Sequence, residues 1–341
     1  MNAKEKVRSA LVGKSLDIPL FCPAVYEHKA RLLEKSVSEV SRDKDLLAQA
    51  VLSEYETYRP DMLTVGIDVY NVETEALGGV VDFPAEPEAV PDIKVPLLDN
   101  LEDINELKPI EPEKAARMPL MLEAAQEVEE KIGKEVFIRG AVSGPYSIAA
   151  KLLGIEKLIL AALQQPQEIT RFLDFCTEAA LCYGCAFLNK GINVCIFDSL
   201  AGPPLMSPQL YNKLVLPRVK RLISSLKRAG AEFVEYVVGG DTSKITAYMV
   251  ESGADIILAD YNCPINPCLQ MIQGHRNLLR RNINPHLIEQ GPDEQLEKEV
   301  NTIIKLALES GQIIIGTGII SYNTAIERVQ MFKNMCLNKW H

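Results

Sequence analysis

The sequence predicts a (β/α)8 barrel, an α/β fold of the TIM type, formed by residues 1–341 as one domain. Three observations point there. Eight short apolar or alternating segments recur along the chain, amphipathic stretches of helical period separate them, and no Gly-x-Gly-x-x-Gly turn follows any apolar run, as a doubly wound dinucleotide-binding sheet would require. A strand followed by a helix, repeated, means parallel strands joined by right-handed crossovers. With 341 residues, 47% of them hydrophobic, length alone allows one large barrel or two ordinary domains, and no internal stretch reads as a flexible linker between two.

Ile18–Val25 is the first predicted strand and Met62–Val69 the second. The rhythm then breaks. Asp82 to Arg117 is rich in Pro, Glu and Asp with little periodic apolar content, which fits a surface excursion across the barrel mouth or a solvated acidic connector. Val136–Ala141 is the third strand, followed by helical patterns over Ile155–Leu163 and Pro166–Leu188. Val194–Phe197 is the fourth, followed by a helix over Pro208–Ala229. Phe233–Val238 is the fifth, and Asp241-Thr242-Ser243 caps a helix over Ser243–Glu251. Ile256–Ala259 and Leu278–Ile283 are the sixth and seventh; Pro292-Asp293 then opens a helix over Asp293–Glu309. Ile313–Ile319 is the eighth strand, with a last helix over Asn323–Lys333.

A net charge of −10 argues against nucleic acid or an anionic membrane as the main partner. The first eleven residues mix Lys, Glu and Arg with no apolar core of a leader, and no later run reaches the roughly 18 apolar residues of a membrane span. Eight cysteines without small-scaffold spacing fit a reducing compartment, so a cytoplasmic protein is expected. Cys182-x-x-Cys185 lies on a predicted apolar helix, where packing is the better reading, and Cys263-x4-Cys268 lacks nearby His partners.

In barrels of this kind the C-terminal strand tips carry the chemistry. The first tip is Tyr26-Glu27-His28, and the second offers Asp68, Tyr70, Asn71, Glu73 and Glu75. The third leads into Ser143-Gly144-Pro145-Tyr146, the fourth into Asp198-Ser199, and the fifth carries Glu235, Tyr236 and Asp241. Asp260-Tyr261-Asn262-Cys263 ends the sixth; Asn282, Asn284 and His286 end the seventh; Thr317, Ser321 and Tyr322 end the eighth. Such a mouth is acidic, rich in tyrosine and poor in Arg and Lys, which speaks against a polyanionic substrate. Glu235 interrupts an apolar strand, and an inward carboxylate there is costly unless paired or protonated. Asp241 reads equally as the cap of the next helix, and His28, beside Lys29 and Arg31, equally as a helix-start residue.

Five motifs in order then resemble the uroporphyrinogen decarboxylase superfamily. These are Glu75-Ala76-Leu77-Gly78, Ser143-Gly144-Pro145-Tyr146-Ser147, Ile196-Phe197-Asp198-Ser199-Leu200-Ala201-Gly202, Arg281-Asn282-Ile283-Asn284-Pro285 and Gly316-Thr317-Gly318-Ile319. The resemblance implies either a decarboxylase or a corrinoid-linked methyltransferase. Against a decarboxylase, the family's Arg-Gln-Ala-Gly-Arg segment is matched only by Glu27-His28-Lys29-Ala30-Arg31, its catalytic aspartate falls on Val69, its tyrosine on Lys151 and its histidine on Thr317, leaving Ser199 in place. Against a thiol-methylating enzyme, the His-x-Cys and Cys zinc ligands are replaced by Tyr236, Val238 and Thr317.

What the resemblance leaves is a first methyltransferase, which moves a methyl group from an O-methyl donor, for example an aryl methyl ether, to cob(I)alamin. No Asp-x-His-x-x-Gly motif occurs, so the corrinoid is expected on a separate small protein docking over the mouth; a homodimer is compatible with this. The leaving oxygen needs an acid or a Lewis-acid metal. Glu27, His28, Asn71, Glu73, Glu235 and Asp241 are the expected catalytic set, a subset of them binding zinc through oxygen and nitrogen if a metal is used. Asp68, Tyr146, Asp198, Ser199, Tyr236, Asp260 and Thr317 are the expected substrate-binding set. A decarboxylase-like enzyme on another carboxylated substrate and a non-catalytic binding barrel are the alternatives.

Overall fold

The computed structural model describes residues 1–337. Its eight parallel strands are β1 (Leu20–Ala24), β2 (Met62–Val65), β3 (Phe137–Ser143), β4 (Asn193–Phe197), β5 (Val234–Val237), β6 (Ile256–Ala259), β7 (Leu278–Ile283) and β8 (Ile313–Ile319). The ladder runs β1-β8-β7-β6-β5-β4-β3-β2, leaving a seam between β1 and β2. Side chains satisfy the backbone there, as buried polar groups require. Asp61 donates its N–H to Phe21 O at 2.8 Å and accepts the Phe21 N–H on its carboxylate at 2.7 Å. The Lys29 ammonium donates to Thr64 O at 2.8 Å while paired with Glu54 at 3.0 Å. The predicted barrel is therefore present and nearly closed.

Strand alternation sorts the interior into layers. At the bottom, Leu20, Met62, Phe137, Phe233, Ile256, Leu278 and Ile314 pack together, plugged by Val7 and Ala10 of a helix over Ala3–Leu11. At the top, Ala24, Tyr26, Ala141, Cys195, Phe197, Val237 and Leu258 form an apolar ring. Between them lies an ionic layer of Arg139, Glu235 and Arg280, each at most 2% exposed. The outward faces of the strands are covered by helices such as Pro166–Asn189, Leu216–Arg228 and Asp293–Ser310.

The helix expected over Pro208–Ala229 is broken into Pro208–Leu210, a π turn over Tyr211–Val215 and Leu216–Arg228. Pro217 has no N–H to return to the carbonyl four residues back, and the widened turn absorbs that gap. Helices over Lys44–Tyr58, Met118–Ile132 and Ile265–Ile272 come in addition to those expected. The acidic excursion is not a free connector. It carries a bridge between Asp82 and Asp92 and a 3-10 turn over Leu101–Glu106, buries Leu98, Leu101 and Ile110, and ends on Arg117, whose guanidinium grips Asp68 and Glu75. Among the described residues no helix is long and apolar enough to cross a membrane.

Candidate functional site

A cavity of about 270 Å³ opens at the C-terminal end of the strands. The upper interior ring forms its walls: Ala24, Val69, Phe197, Val237 and Leu258 supply apolar surface. Tyr26 and Tyr70 set their rings edge-on to Phe197, with centroids 5.6 Å and 6.5 Å away, so two phenols border the same apolar corner. Burial holds the Tyr26 phenol far above its ordinary range and pushes Tyr70 up to about 12, so both keep their protons and act as hydrogen-bond donors.

The polar groups stand nearer the rim on the same strand ends, Ser199 two residues after Phe197 and Asp260 two after Leu258. Asp260, one residue beyond β6, accepts N–H groups from Gly240 at 3.0 Å and Tyr261 at 2.9 Å, and the Asn282 side-chain amide at 2.9 Å. Ser199 Oγ accepts the Gly239 N–H at 3.0 Å, and Thr317 Oγ1 accepts the Ala24 N–H at 2.9 Å. Of the expected substrate-binding residues, Ser199, Asp260 and Thr317 thus line the cavity.

The structure places the others elsewhere. Asp68 is buried beneath the excursion, bidentate with Arg117 at 3.1 Å and 2.8 Å. Asp198 points out of the barrel, where Oδ1 accepts the Ser147 N–H at 2.7 Å, and burial raises its carboxyl to about 6. Tyr146 is fully buried in the helix Pro145–Leu153, and Tyr236 faces the outer helices, bonded to Tyr211 across 3.0 Å. Neither borders the cavity.

The expected catalytic set is dispersed as well. His28 is buried between Ser321 O at 3.0 Å and the Tyr58 hydroxyl at 2.8 Å, and burial lowers its imidazole to about 4. Asn71 donates to Pro91 O at 2.7 Å, fastening the excursion. Glu73 accepts both the N–H and the hydroxyl of Ser143 at 2.6 Å, with its carboxyl pushed up by burial to about 7. Asp241 is exposed and accepts the Ser243 N–H at 3.0 Å, the capping alternative. Glu235 sits under the cavity floor against Arg139 and Arg280. Glu27 alone stays beside the mouth, half-buried after Tyr26, and burial raises it to about 7.

These positions bear directly on zinc. Among the described residues no three His, Cys, Asp or Glu side chains stand close enough together to hold a metal, so no subset of the four acids and the imidazole of that set forms a site. Strand alternation also corrects the fifth-strand comparison. Tyr236 and Val238 point outward, and the residues facing the cavity at that height are Val237 and Gly239, which likewise offer no ligand.

Arg280, absent from the expected set, borders the cavity and adds a buried cation to a mouth expected to be poor in Arg and Lys. The signal was present. Arg280 interrupts an apolar run two residues before Asn282, which strand alternation puts on the same face, by the argument already applied to Glu235.

A family model described as uroporphyrinogen decarboxylase (URO-D) matches residues 2–338. The methylcobamide:CoM methyltransferase MtaA of Methanosarcina barkeri is 25% identical over 96% of this chain and 95% of its own. A uroporphyrinogen decarboxylase of Parasynechococcus marenigrum is 24% identical over 84% of this chain and 80% of its own. Among solved structures, a methyltransferase from Methanosarcina mazei superposes with a TM-score of 0.86 at 21% identity, covering 98% of each chain, a likeness of fold.

Proposed function

The chain belongs to the uroporphyrinogen decarboxylase (URO-D) family, and from that premise we propose a corrinoid-dependent methyltransferase that takes its methyl group from an O-methyl donor such as an aryl methyl ether. The observation that carries the reading is the cavity: small, ringed by apolar side chains, bordered by two protonated phenols, and, among the described residues, without a set of thiolate or imidazole ligands around it. A cavity of about 270 Å³ is small for a tetrapyrrole macrocycle, which disfavours a porphyrinogen as substrate and favours a corrinoid that approaches from outside, on a partner. The relative MtaA is named for a methylcobamide, which supports corrinoid chemistry for this chain.

A reduced corrinoid, when docked, supplies a nucleophile strong enough to need no activation by the chain. The chain's own work is at the oxygen. The walls hold an O-methyl group between Phe197, Val69 and the two tyrosines, and exclude water from it. As the carbon–oxygen bond breaks, its electron pair goes to oxygen, and the Tyr26 or Tyr70 hydroxyl donates a hydrogen bond there. Glu27, with its carboxyl near 7, sits next to Tyr26 as the group that returns a proton from solvent.

The excursion gives the partner a surface. Val95 within it is 76% exposed, and Val80, just before it, is 80% exposed. The test is an anaerobic assay with a reconstituted small corrinoid protein, a panel of methoxyarenes, and a chelator in half the samples. Methylcorrinoid absorbance that grows with a methoxyarene and is unchanged by chelator is expected. Carbon dioxide release from a carboxylated pyrrole without methyl transfer would replace this reading with the decarboxylase one.

A further inference from the structure

We propose that Arg280 is the seat of an anionic group on the substrate, so that the small molecule bound in the cavity carries a carboxylate. The inference rests on the cavity being the substrate site of the proposed methyl transfer, and it begins from charge. Two guanidinium groups, Arg139 and Arg280, face one carboxylate, Glu235, inside the barrel. They do not share it equally. Arg139 donates a hydrogen bond from Nη1 to Glu235 Oε2 and spends Nη2 on Thr64 Oγ1 at 2.9 Å and on the Cys22 sulfur at 3.4 Å. Arg280 approaches Glu235 Oε1 to 3.1 Å, but that contact is not a hydrogen bond: Oε1 lacks a donor, and Arg280 Nε lacks an acceptor.

Arg280 is thus 2% exposed, borders the cavity, and has donors left over. A buried guanidinium without full pairing is costly, and two guanidinium groups share one carboxylate in this layer. The other carboxylate of the cavity, Asp260, is taken up by the Gly240 and Tyr261 N–H groups and the Asn282 amide and forms no ion pair with Arg280. Burial keeps the neighbouring Tyr26 and Cys195 protonated, so neither supplies the missing negative charge. A carboxylate meets the planar fork of a guanidinium with two parallel hydrogen bonds, which is the partner this geometry lacks.

The neighbouring strand is shaped for the same purpose. Gly316 faces Asn282 in the β7–β8 register, and a Cβ there would lie 2.9 Å from Arg280 Cγ and 2.6 Å from Asn282 Oδ1. Only a residue without a side chain lets the arginine stem cross that position. With the anion on Arg280 and the apolar body against Val69, Phe197 and Leu258, a substrate of benzoate size is oriented end to end.

The test is isothermal titration of the corrinoid-free protein with benzoate and 4-methoxybenzoate, each against its carboxamide. Acids binding about tenfold or more tighter than amides are expected, from the worth of a charge-assisted hydrogen-bond pair. Arg280→Gln should erase that preference and Arg280→Lys retain part of it. Gly316→Ala, which leaves both arginines and Glu235 in place, should weaken it by displacing the stem, and this variant decides if Arg280→Gln does not fold. Equal binding of acid and amide by the unaltered protein, including no binding of either, overturns the proposal, as does a preference that survives Arg280→Gln. Because no corrinoid is present, carboxylate binding without later methyl transfer would refute the function and leave the anion seat standing, and the converse result would do the opposite.

Discussion

Glu73 shows how far a single residue can be understood before and after its surroundings are seen. A carboxylate two residues before the Glu-Ala-Leu-Gly stretch reads as a mouth acid; in the fold it ties the helix Val72–Ala76 to the end of β3 through both donors of Ser143. Burial raises its carboxyl from an ordinary 4.5 to about 7. Between those values the folded chain holds a proton that the unfolded chain has released, so stability falls as pH rises from about 4.5 to about 7 and is flat above. Glu73→Gln keeps an acceptor for the Ser143 N–H and a donor for its hydroxyl, and should remove this group's contribution to the slope. Urea midpoints measured from pH 4.5 to 8 should therefore converge less for the unaltered chain and Glu73→Gln at neutral pH than in mild acid, the variant gaining on the parent as pH rises. A constant difference across that range would show that Glu73 is ionised in the fold throughout. The need of Glu235 for a partner was legible in the same way, from a carboxylate set in an apolar strand, but its partners lie 96 and 45 positions away in sequence and only the barrel brings them together.

At the scale of elements, the eight strands were legible because alternation and apolar runs survive burial on both faces, whereas several helices were not. Lys44–Tyr58 buries Glu54 to pair with Lys29, so its inward face does not read as apolar. Ile265–Ile272 opens among Pro264 and Pro267, where turn chemistry dominates the pattern. The excursion is the instructive case, since its composition allowed a surface excursion over the mouth or a solvated connector, and the structure fastens it through Asn71, buried apolar side chains and a cation at its far end. Arg117 spans Asp68, Glu75 and the Ser41 carbonyl, and lays its guanidinium over Phe83 with its carbon 5.0 Å from the ring centroid. Arg117→Gln would leave Asp68 buried without its counter-charge, a loss of about 3–5 kcal/mol by comparison with other broken buried pairs. Limited proteolysis should then cut first between residues 82 and 117, ahead of global unfolding. Cleavage at the same sites and rate as in the unaltered chain would show that the packing of Leu98, Leu101 and Ile110 holds the segment unaided.

The whole molecule sets a geometric problem that its parts do not. The bottom of the barrel is plugged by the helix Ala3–Leu11, the interior is filled by an ionic layer, and a small cavity opens at the C-terminal end. On the proposed function a corrinoid-bearing partner covers that end, and the surface it would meet includes Val80, just before the excursion, and Val95 within it, both exposed on a chain whose net charge is −10. Two exposed valines on an otherwise charged surface offer short-range apolar contact, which supplies docking energy independent of the partner's charge. Replacing Val80 and Val95 together with Glu places charge in that contact without touching the cavity wall. The corrinoid protein's apparent KM should rise about tenfold or more, the range expected when charge is forced into an apolar interface, while titration of 4-methoxybenzoate stays unchanged. If KM is unmoved, the partner does not dock on Val80 and Val95, and the apolar contact is refuted.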